Sequence, residues 1–322
     1  MAEDTYPVRI VETRFEAGDV LSFVLASPDG TPLPDVDPGS HIDLHLPNGL
    51  ARSYSLSNGP DLRGRYRITV ARDAASSGGS VYMHDSLRTG SLIQISHPRN
   101  NFKLATEAPL SVFFAGGIGV TPFVPMIARL NAEGKAWRLH YSVRTRARAA
   151  LLAELEHLAE AGQGELLANF DEEPGGRMLD LKVLLADLPD DAHVYCCGPT
   201  GMLDAYRAAA SALAIDDARV HFEYFAAEVE RATEGGFTVV CRKSAKTVVV
   251  EAGQTILDAV MAVGINVPFS CEEGVCGSCE TRVISGTPDH RDMIFSERER
   301  ATATAMMICC SGSKSAELIL DL

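Results

Sequence analysis

Four cysteines in the last sixth of the chain stand at a spacing that serves one chemistry. Cys271, Cys276 and Cys279 form C-x4-C-x2-C, and Cys309 follows after 29 intervening residues. Two bridged irons take four soft thiolate ligands, and this is the plant-type spacing for a 2Fe-2S cluster. The loop between the cysteines must wrap the cluster. Gly274, Gly277 and Ser278 are small enough to let backbone N–H groups approach the sulfurs. A structural zinc site is the alternative use of Cys276 and Cys279. Such sites pair two short Cys or Cys/His spacings. Here no second C-x2-C exists, and His290 has no partner at the usual distance. The metal ligands are therefore read as Cys271, Cys276, Cys279 and Cys309. Cys310 adjoins the last of these in an apolar run, residues 305–310, read as a strand. Adjacent strand residues face opposite sides, so one of the two thiols reaches the cluster.

A second chemistry is carried by glycines. Gly116, Gly117, Gly119, Thr121 and Pro122 follow an apolar run, residues 110–115, and open an apolar stretch of helical character. A strand, a tight glycine turn and a helix N-terminus make a seat for a pyrophosphate. The loop is not G-x-G-x-x-G, so it lacks the usual dinucleotide fingerprint. A second turn, Cys197-Gly198-Pro199, closes another apolar run. In a parallel sheet both turns come to the carboxyl edge, where ligands bind. Cys196 is read as a buried strand residue and Cys197, at the strand end, as the functional candidate.

The elements that must hold these groups fall into three patterns. Residues 1–104 carry short β-prone runs separated by turns such as Pro28-Asp29-Gly30 and Pro47-Asn48-Gly49, which predicts an antiparallel barrel or sandwich. A short helix is expected over residues 80–85. Residues 105–227 alternate strand and helix, which predicts a parallel sheet covered on both faces. Helices are expected over residues 122–133, 147–160, 179–185 and 201–213. Residues 228–236 are charged, end in Gly235-Gly236, and read as a linker. Residues 237–322 then give a hairpin, a helix over 255–263, the cysteine loop and further strands.

Composition narrows the function. Hydrophobic residues make up 46% and charged residues 22% of 322, with a net charge of −14. That is ordinary for a globular protein and argues against nucleic acid or an anionic membrane as partner. Residues 108–128 lack charge, but Pro109, Pro122 and Pro125 and the glycine turn argue against a membrane span. No secretion signal is read at the N-terminus, so a reduced cytoplasmic compartment is expected for the eight cysteines.

Together the motifs carry a resemblance. Arg52-Ser53-Tyr54-Ser55 resembles the flavin-binding R-x-Y-S of the ferredoxin–NADP reductase superfamily, and residues 116–122 with Cys197-Gly198-Pro199 look like its nicotinamide-binding elements. With a C-terminal ferredoxin, the chain resembles the phthalate dioxygenase reductase family, including vanillate O-demethylase reductase subunits. The resemblance implies a multidomain architecture: an antiparallel β-barrel flavin domain, an α/β nicotinamide domain, and an α+β (β-grasp) plant-type ferredoxin domain. It implies FMN, with FAD as the alternative. Consistent with FMN, Gly78-Gly79-Ser80 precedes a short helix that can seat a terminal phosphate, and Arg52 can complete the seat. By the resemblance Tyr54 stacks on the isoalloxazine, Ser55 bonds near its N5, Glu223 lies near the hydride path, and Phe225 lies near the flavin. The family pattern also selects Cys309 over Cys310.

Arg144, Arg146 and Arg148 follow the second strand of the nicotinamide domain, where basic residues meet an adenosine ribose or a 2′-phosphate. NADH is expected by resemblance, although no acid directly after that strand is found to hold a ribose 2′-OH. The expected function is a monomeric NADH-dependent reductase serving a Rieske-type oxygenase, with Glu272, Glu273 and Glu280 either helping to dock it or merely solvating the loop. The alternatives are a general flavin-dependent diaphorase and a ferredoxin-like carrier or sensor without a dedicated oxygenase.

Overall fold

The computed structural model describes residues 5–73, 78–225 and 229–322. Residues 1–4 of the expected barrel domain, 226–227 of the expected nicotinamide domain and Glu228 of the expected linker lie outside the described residues. The chain divides into two compact units, Thr5–Tyr224 and Phe225–Leu322.

The first unit opens with β1 (Thr5–Ala17), β2 (Val20–Ala26), β3 (His41–His45), β4 (Ala51–Ser55), β5 (Tyr66–Ala71), the helix α1 (Gly79–Ser86) and β6 (Leu92–Ser96). The strands pair antiparallel in the order β4-β3-β6-β1-β2-β5. A further bridge from Leu56 to Ile68 joins the two ends, so the sheet curls into a barrel. Inward residues such as Val8, Ile10, Phe23, Ile42 and Ile68 fill it. β1 reaches as far as Ala17 because it pairs with β2 through two bulges.

The same unit continues with β7 (Leu110–Gly116), α2 (Phe123–Ala132), β8 (Ala136–Val143), α3 (Leu152–Ala161), β9 (Gly164–Phe170), α4 (Leu181–Ala186), β10 (His193–Cys197), α5 (Thr200–Ala212) and β11 (Val220–Glu223). All five strands are parallel, in the order β11-β10-β7-β8-β9. The chain goes outward from β7 to β9 and then returns to the other side of β7. The topological switch point is thus between β7 and β10, and the two glycine turns leave from those two strands. The helix expected over residues 147–160 is broken. A 3-10 turn spans Arg146–Arg148 and α3 starts only at Leu152, with Leu151 in the left-handed region at φ 59°. Burial wins over local pattern here: Ala150 and Leu151 are drawn into the core, and the Tyr141 hydroxyl donates to the Ala150 carbonyl at 3.1 Å.

The second unit contains β12 (Phe237–Cys241), β13 (Lys246–Val250), α6 (Ile256–Ala262), β14 (Glu280–Ser285), β15 (Pro288–Asp289), α7 (Glu297–Thr302), β16 (Ala305–Met307), β17 (Gly312–Ser313) and β18 (Glu317–Leu320). Its main sheet, β13-β12-β18-β14-β16, is mixed, with β12 and β18 parallel, and its core takes in Ile256, Leu257 and Val260 of α6. Thr255 starts that helix with a reciprocal capping box to Asp258. Among the described residues no helix is long and apolar enough to cross a membrane.

Candidate functional site

The cysteine loop runs from Cys271 to β14 and faces the turn after β16. Cys276, Cys279 and Cys309 are buried, and Cys271 is partly so. The four thiols come as two contacting pairs, Cys271 with Cys276 and Cys279 with Cys309. Backbone donors aim at them. The Glu273 N–H donates to Cys271 Sγ at 3.3 Å, and the Gly274 N–H points to Cys309. Ser278 Oγ lies 3.1 Å from Cys276 Sγ. In each pair one thiol is stabilised as thiolate. Bonds from Cys271 and Ser278 hold Cys276 down to about 6, and bonds from Cys279, Cys310 and the Gly274 N–H, with the charge of Arg231, hold Cys309 down to about 3. The partner thiols are pushed up. Among the described residues no cluster of three or more donors has the form of a single-ion site. Two thiol pairs ringed by backbone N–H groups suit a two-iron cluster better than one tetrahedral zinc.

Gly274 is required by this packing. Its φ is +70°, and a Cβ there would lie 2.7 Å from Cys310 Sγ. That contact also corrects an expectation. Residues 305–310 are not one strand: β16 ends at Met307, and Cys309 and Cys310 sit in a turn. The N–H groups of Cys310 and Ser311 both return to the Met307 carbonyl, at 3.3 and 3.0 Å. Strand alternation therefore does not separate the two thiols, which contact one another. What distinguishes Cys309 is its pairing with Cys279 and its bond from the Gly274 N–H.

In the first unit, β4 presents Arg52, Ser53, Tyr54 and Ser55 in register with Leu44, Asp43, Ile42 and His41 of β3. The Ser53 hydroxyl donates to the buried Asp43 carboxylate, which also meets Arg99. Burial pushes the Tyr54 phenol up to about 12. The Arg52 side chain crosses the start of α1, where a Cβ on Gly79 would lie 2.6 Å from its Cγ. Gly78 caps that helix at φ 93°, no acidic residue stands in its first turn, and Ser80 Oγ accepts from the Asp73 N–H at 3.1 Å. A cation over a helix N-terminus built on two glycines fits a terminal phosphate.

Ser55 Oγ donates to Glu223 Oε2 at 3.1 Å, across 168 residues of sequence. Glu223 pairs in register with Cys197. Burial raises its carboxyl to about 7, against the lowering effect of Ser55. Ser55, Cys197 and Glu223 are thus brought together. Cys197 is fully buried and its thiol is pushed well up by burial, so what it offers the site is its backbone. Phe225 falls in the second unit, with 39% of its surface exposed.

The two glycine turns interlock. A Cβ on Gly119 would overlap the Cys197 carbonyl, and one on Gly116 would lie 2.6 Å from Pro199 Cδ. A Cβ on Gly198 would in turn lie 3.0 Å from Gly116 Cα. A 3-10 turn, Gly117–Val120, intervenes before α2, and the buried Thr121 hydroxyl donates to the Ile118 carbonyl at 3.1 Å. Thr121 and Pro122 thus lie under the loop rather than at its mouth. A groove of about 550 Å³ opens at this edge, lined by Gly116, Gly117, Pro199, Arg144 and Arg148. Its wall includes an acid that sequence reading missed. Asp171 follows β9 and accepts from the Ser142 hydroxyl at 2.8 Å, and so stands at the end of β8. Arg144 pairs with Glu172 at 3.8 Å and Arg148 with Asp19 at 3.5 Å.

Comparison with known proteins agrees with this division of labour. Residues 113–208 match an oxidoreductase NAD-binding domain, and residues 239–313 a 2Fe-2S iron-sulfur cluster binding domain. The chain is 50% identical to phenoxybenzoate dioxygenase subunit beta of Ectopseudomonas oleovorans, over 98% of this chain and 97% of the relative. It is 41% identical to a vanillate O-demethylase oxidoreductase of a Pseudomonas species, over 98% and 99%. Among solved structures, phthalate dioxygenase reductase, described as a modular structure for electron transfer from pyridine nucleotides to a 2Fe-2S centre, superposes with a TM-score of 0.71. It is 36% identical, over 99% of this chain and 98% of that one.

Proposed function

The chain belongs to the phthalate dioxygenase reductase family, and from that premise we propose that it is the NADH-dependent reductase component of a Rieske-type oxygenase system. Electrons pass from NADH to FMN, to the 2Fe-2S cluster, and to the oxygenase. The observation that carries this reading is the meeting of Ser55, Glu223 and the Cys197 turn at the switch point of a nucleotide-binding sheet, in a chain that also holds two thiol pairs.

Bound flavin supplies the one capacity side chains lack, accepting a hydride and releasing single electrons. The chain supplies position and electrostatics. Arg52 and the α1 N-terminus hold the phosphate end of the flavin, and Tyr54 packs against its ring. The interlocked glycines let the dinucleotide backbone lie close to the sheet edge. Asp171 accepts from the adenosine ribose hydroxyls and would repel a 2′-phosphate at the same place, which favours NADH over a 2′-phosphorylated cofactor. Glu223, its carboxyl raised by burial to about 7, keeps Ser55 oriented while carrying less negative charge than an exposed carboxylate where hydride leaves. Phe225 is kept as a flavin-binding residue. Cys271, Cys276, Cys279 and Cys309 hold the iron, with N–H groups of the loop toward the sulfurs.

We assign residues 1–104 to the flavin barrel, 105–227 to the nicotinamide domain and 237–322 to the ferredoxin domain, in a cytoplasmic monomer. The experiment is reconstitution: NADH-driven oxygenation by a Rieske-type partner should require this chain. Reduction of dyes by NADH with no transfer to any such oxygenase would leave a diaphorase instead.

A further inference from the structure

Residues 229–236 are the stretch expected to connect domains, yet they make the contacts of a built-in element. Val229 packs on the iron–sulfur core, and Ala232 is 4% exposed. The Ala232 N–H donates to the Cys310 carbonyl at 2.8 Å, and the Thr233 carbonyl accepts from the Gly253 N–H at 2.8 Å. Ala232 also closes on Gly312, where a Cβ would lie 2.7 Å from its own. On either side of Ala232, Glu230 and Glu234 reach the same guanidinium, Arg291, at 4.0 and 3.3 Å. Arg291 is itself fixed by Asp289 at 2.8 Å and by its N–H to Ser311 Oγ at 3.1 Å, one residue beyond the Cys309–Cys310 turn. The segment is therefore fastened to the iron–sulfur unit at several points, one of them the turn that carries the fourth ligand.

Arg231 points the other way from this anchorage, to the cysteine loop. Its Nη1 lies 3.8 Å from Glu272 Oε2, and Glu272 adjoins Cys271 with the unusual φ of 55°. Both side chains are somewhat over two-fifths exposed, so the pair adds little to stability. Its significance is the sign and place of the charge. The guanidinium stands at the cysteine loop against Glu272, the neighbour of the ligand Cys271.

We infer that residues 229–236 form a strap belonging to the iron–sulfur unit, and that Arg231 on this strap is a positioning residue for one-electron transfer. A 2Fe-2S cluster held by the four cysteines would gain one electron at iron on reduction, and so one negative charge in the space they enclose. A fixed cation beside the loop stabilises the reduced form more than the oxidised one, and the neighbouring Glu272 does the reverse. The strap holds the cation there. Nothing in the hydride step uses either residue.

The inference rests on reading Cys271, Cys276, Cys279 and Cys309 as ligands, and the test separates the two. Cluster content is read first, from iron, sulfide and visible absorbance of the full chain. Unaltered protein without iron and sulfide would end the ligand reading itself. With cluster content equal across variants, Arg231→Ala should move the cluster midpoint potential to more negative values, and Glu272→Gln should move it to more positive ones. Arg231→Lys should restore most of the loss, and raised ionic strength should shrink both shifts. A purely structural role does not give shifts of opposite sign. Equal potentials in Arg231→Ala and unaltered protein, or shifts of the same sign in the two charge-removing variants, would overturn the assignment. For the strap, Ala232→Asp, which forces a charged side chain into the buried contact with Gly312, should hasten cluster loss to an iron chelator several-fold. Unchanged loss would show that residues 229–236 are not part of the unit.

Discussion

Glu223 gives the sharpest quantitative handle on the first unit. Its carboxyl is raised from an ordinary 4.5 to about 7 by burial, offset in part by the Ser55 hydroxyl. The folded protein therefore holds a proton that the unfolded chain has released between those two values. Stability from this group is complete below pH 4.5, falls as pH rises, and is fully lost above about pH 7. The total is on the order of 3 kcal/mol, from ~1.36 kcal/mol per tenfold displacement. Glu223→Gln keeps the shape and cannot ionise. Near pH 5 the variant and the unaltered protein should melt alike. By pH 8 the variant should melt higher, on the order of 5–10 °C for a unit of this size. The assay is thermal release of flavin fluorescence from the full chain across pH 5–8.5. Parallel curves for the two proteins, or a variant that loses ground as pH rises, would refute the buried-acid account. Ser55→Ala should steepen the dependence, because it removes the one bond that favours the charged form.

Three further outcomes follow from the site. Arg52→Ala should weaken FMN retention about tenfold to a hundredfold, the range for a charge-assisted phosphate contact, with nicotinamide binding less affected; full flavin occupancy after dialysis contradicts it. Cys309→Ser should lose the cluster spectrum while Cys310→Ala keeps it, and the reverse pattern would make Cys310 the ligand. Asp171→Asn should raise the KM for NADH and narrow its advantage over NADPH in dye reduction, so an unchanged ratio of kcat/KM removes Asp171 from the ribose site.

What the sequence discloses here is local chemistry. The C-x4-C-x2-C spacing, the glycine loop and the Cys197-Gly198-Pro199 turn are each compact in sequence and so legible. Groups assembled across the fold are not. Asp171 reaches the end of β8 only because β9 lies beside it in parallel register, with Val143 opposite Phe170. Ser55 meets Glu223 across 168 residues, which no spacing reports. Leu151 breaks an otherwise well-patterned helix because burial of Ala150 and Leu151 outweighs propensity. The apolar run before Cys309 has the look of a strand, but Met307 accepts from both Cys310 and Ser311 and turns the chain. Residues 229–236 are charged and end in two glycines, the composition of a tether. Arg291, 57 residues beyond Glu234, takes the segment's two glutamates, and Glu272 takes Arg231.

The central claim is a single path from NADH through FMN to a 2Fe-2S cluster in one chain. Its most direct test is anaerobic addition of NADH to the purified protein, followed by visible absorbance and low-temperature electron paramagnetic resonance. The account predicts bleaching of flavin absorbance together with the paramagnetic signal of a reduced 2Fe-2S cluster, in protein whose acid-released flavin is FMN. Flavin bleaching with no cluster signal, in protein where dithionite does produce one, would contradict the path.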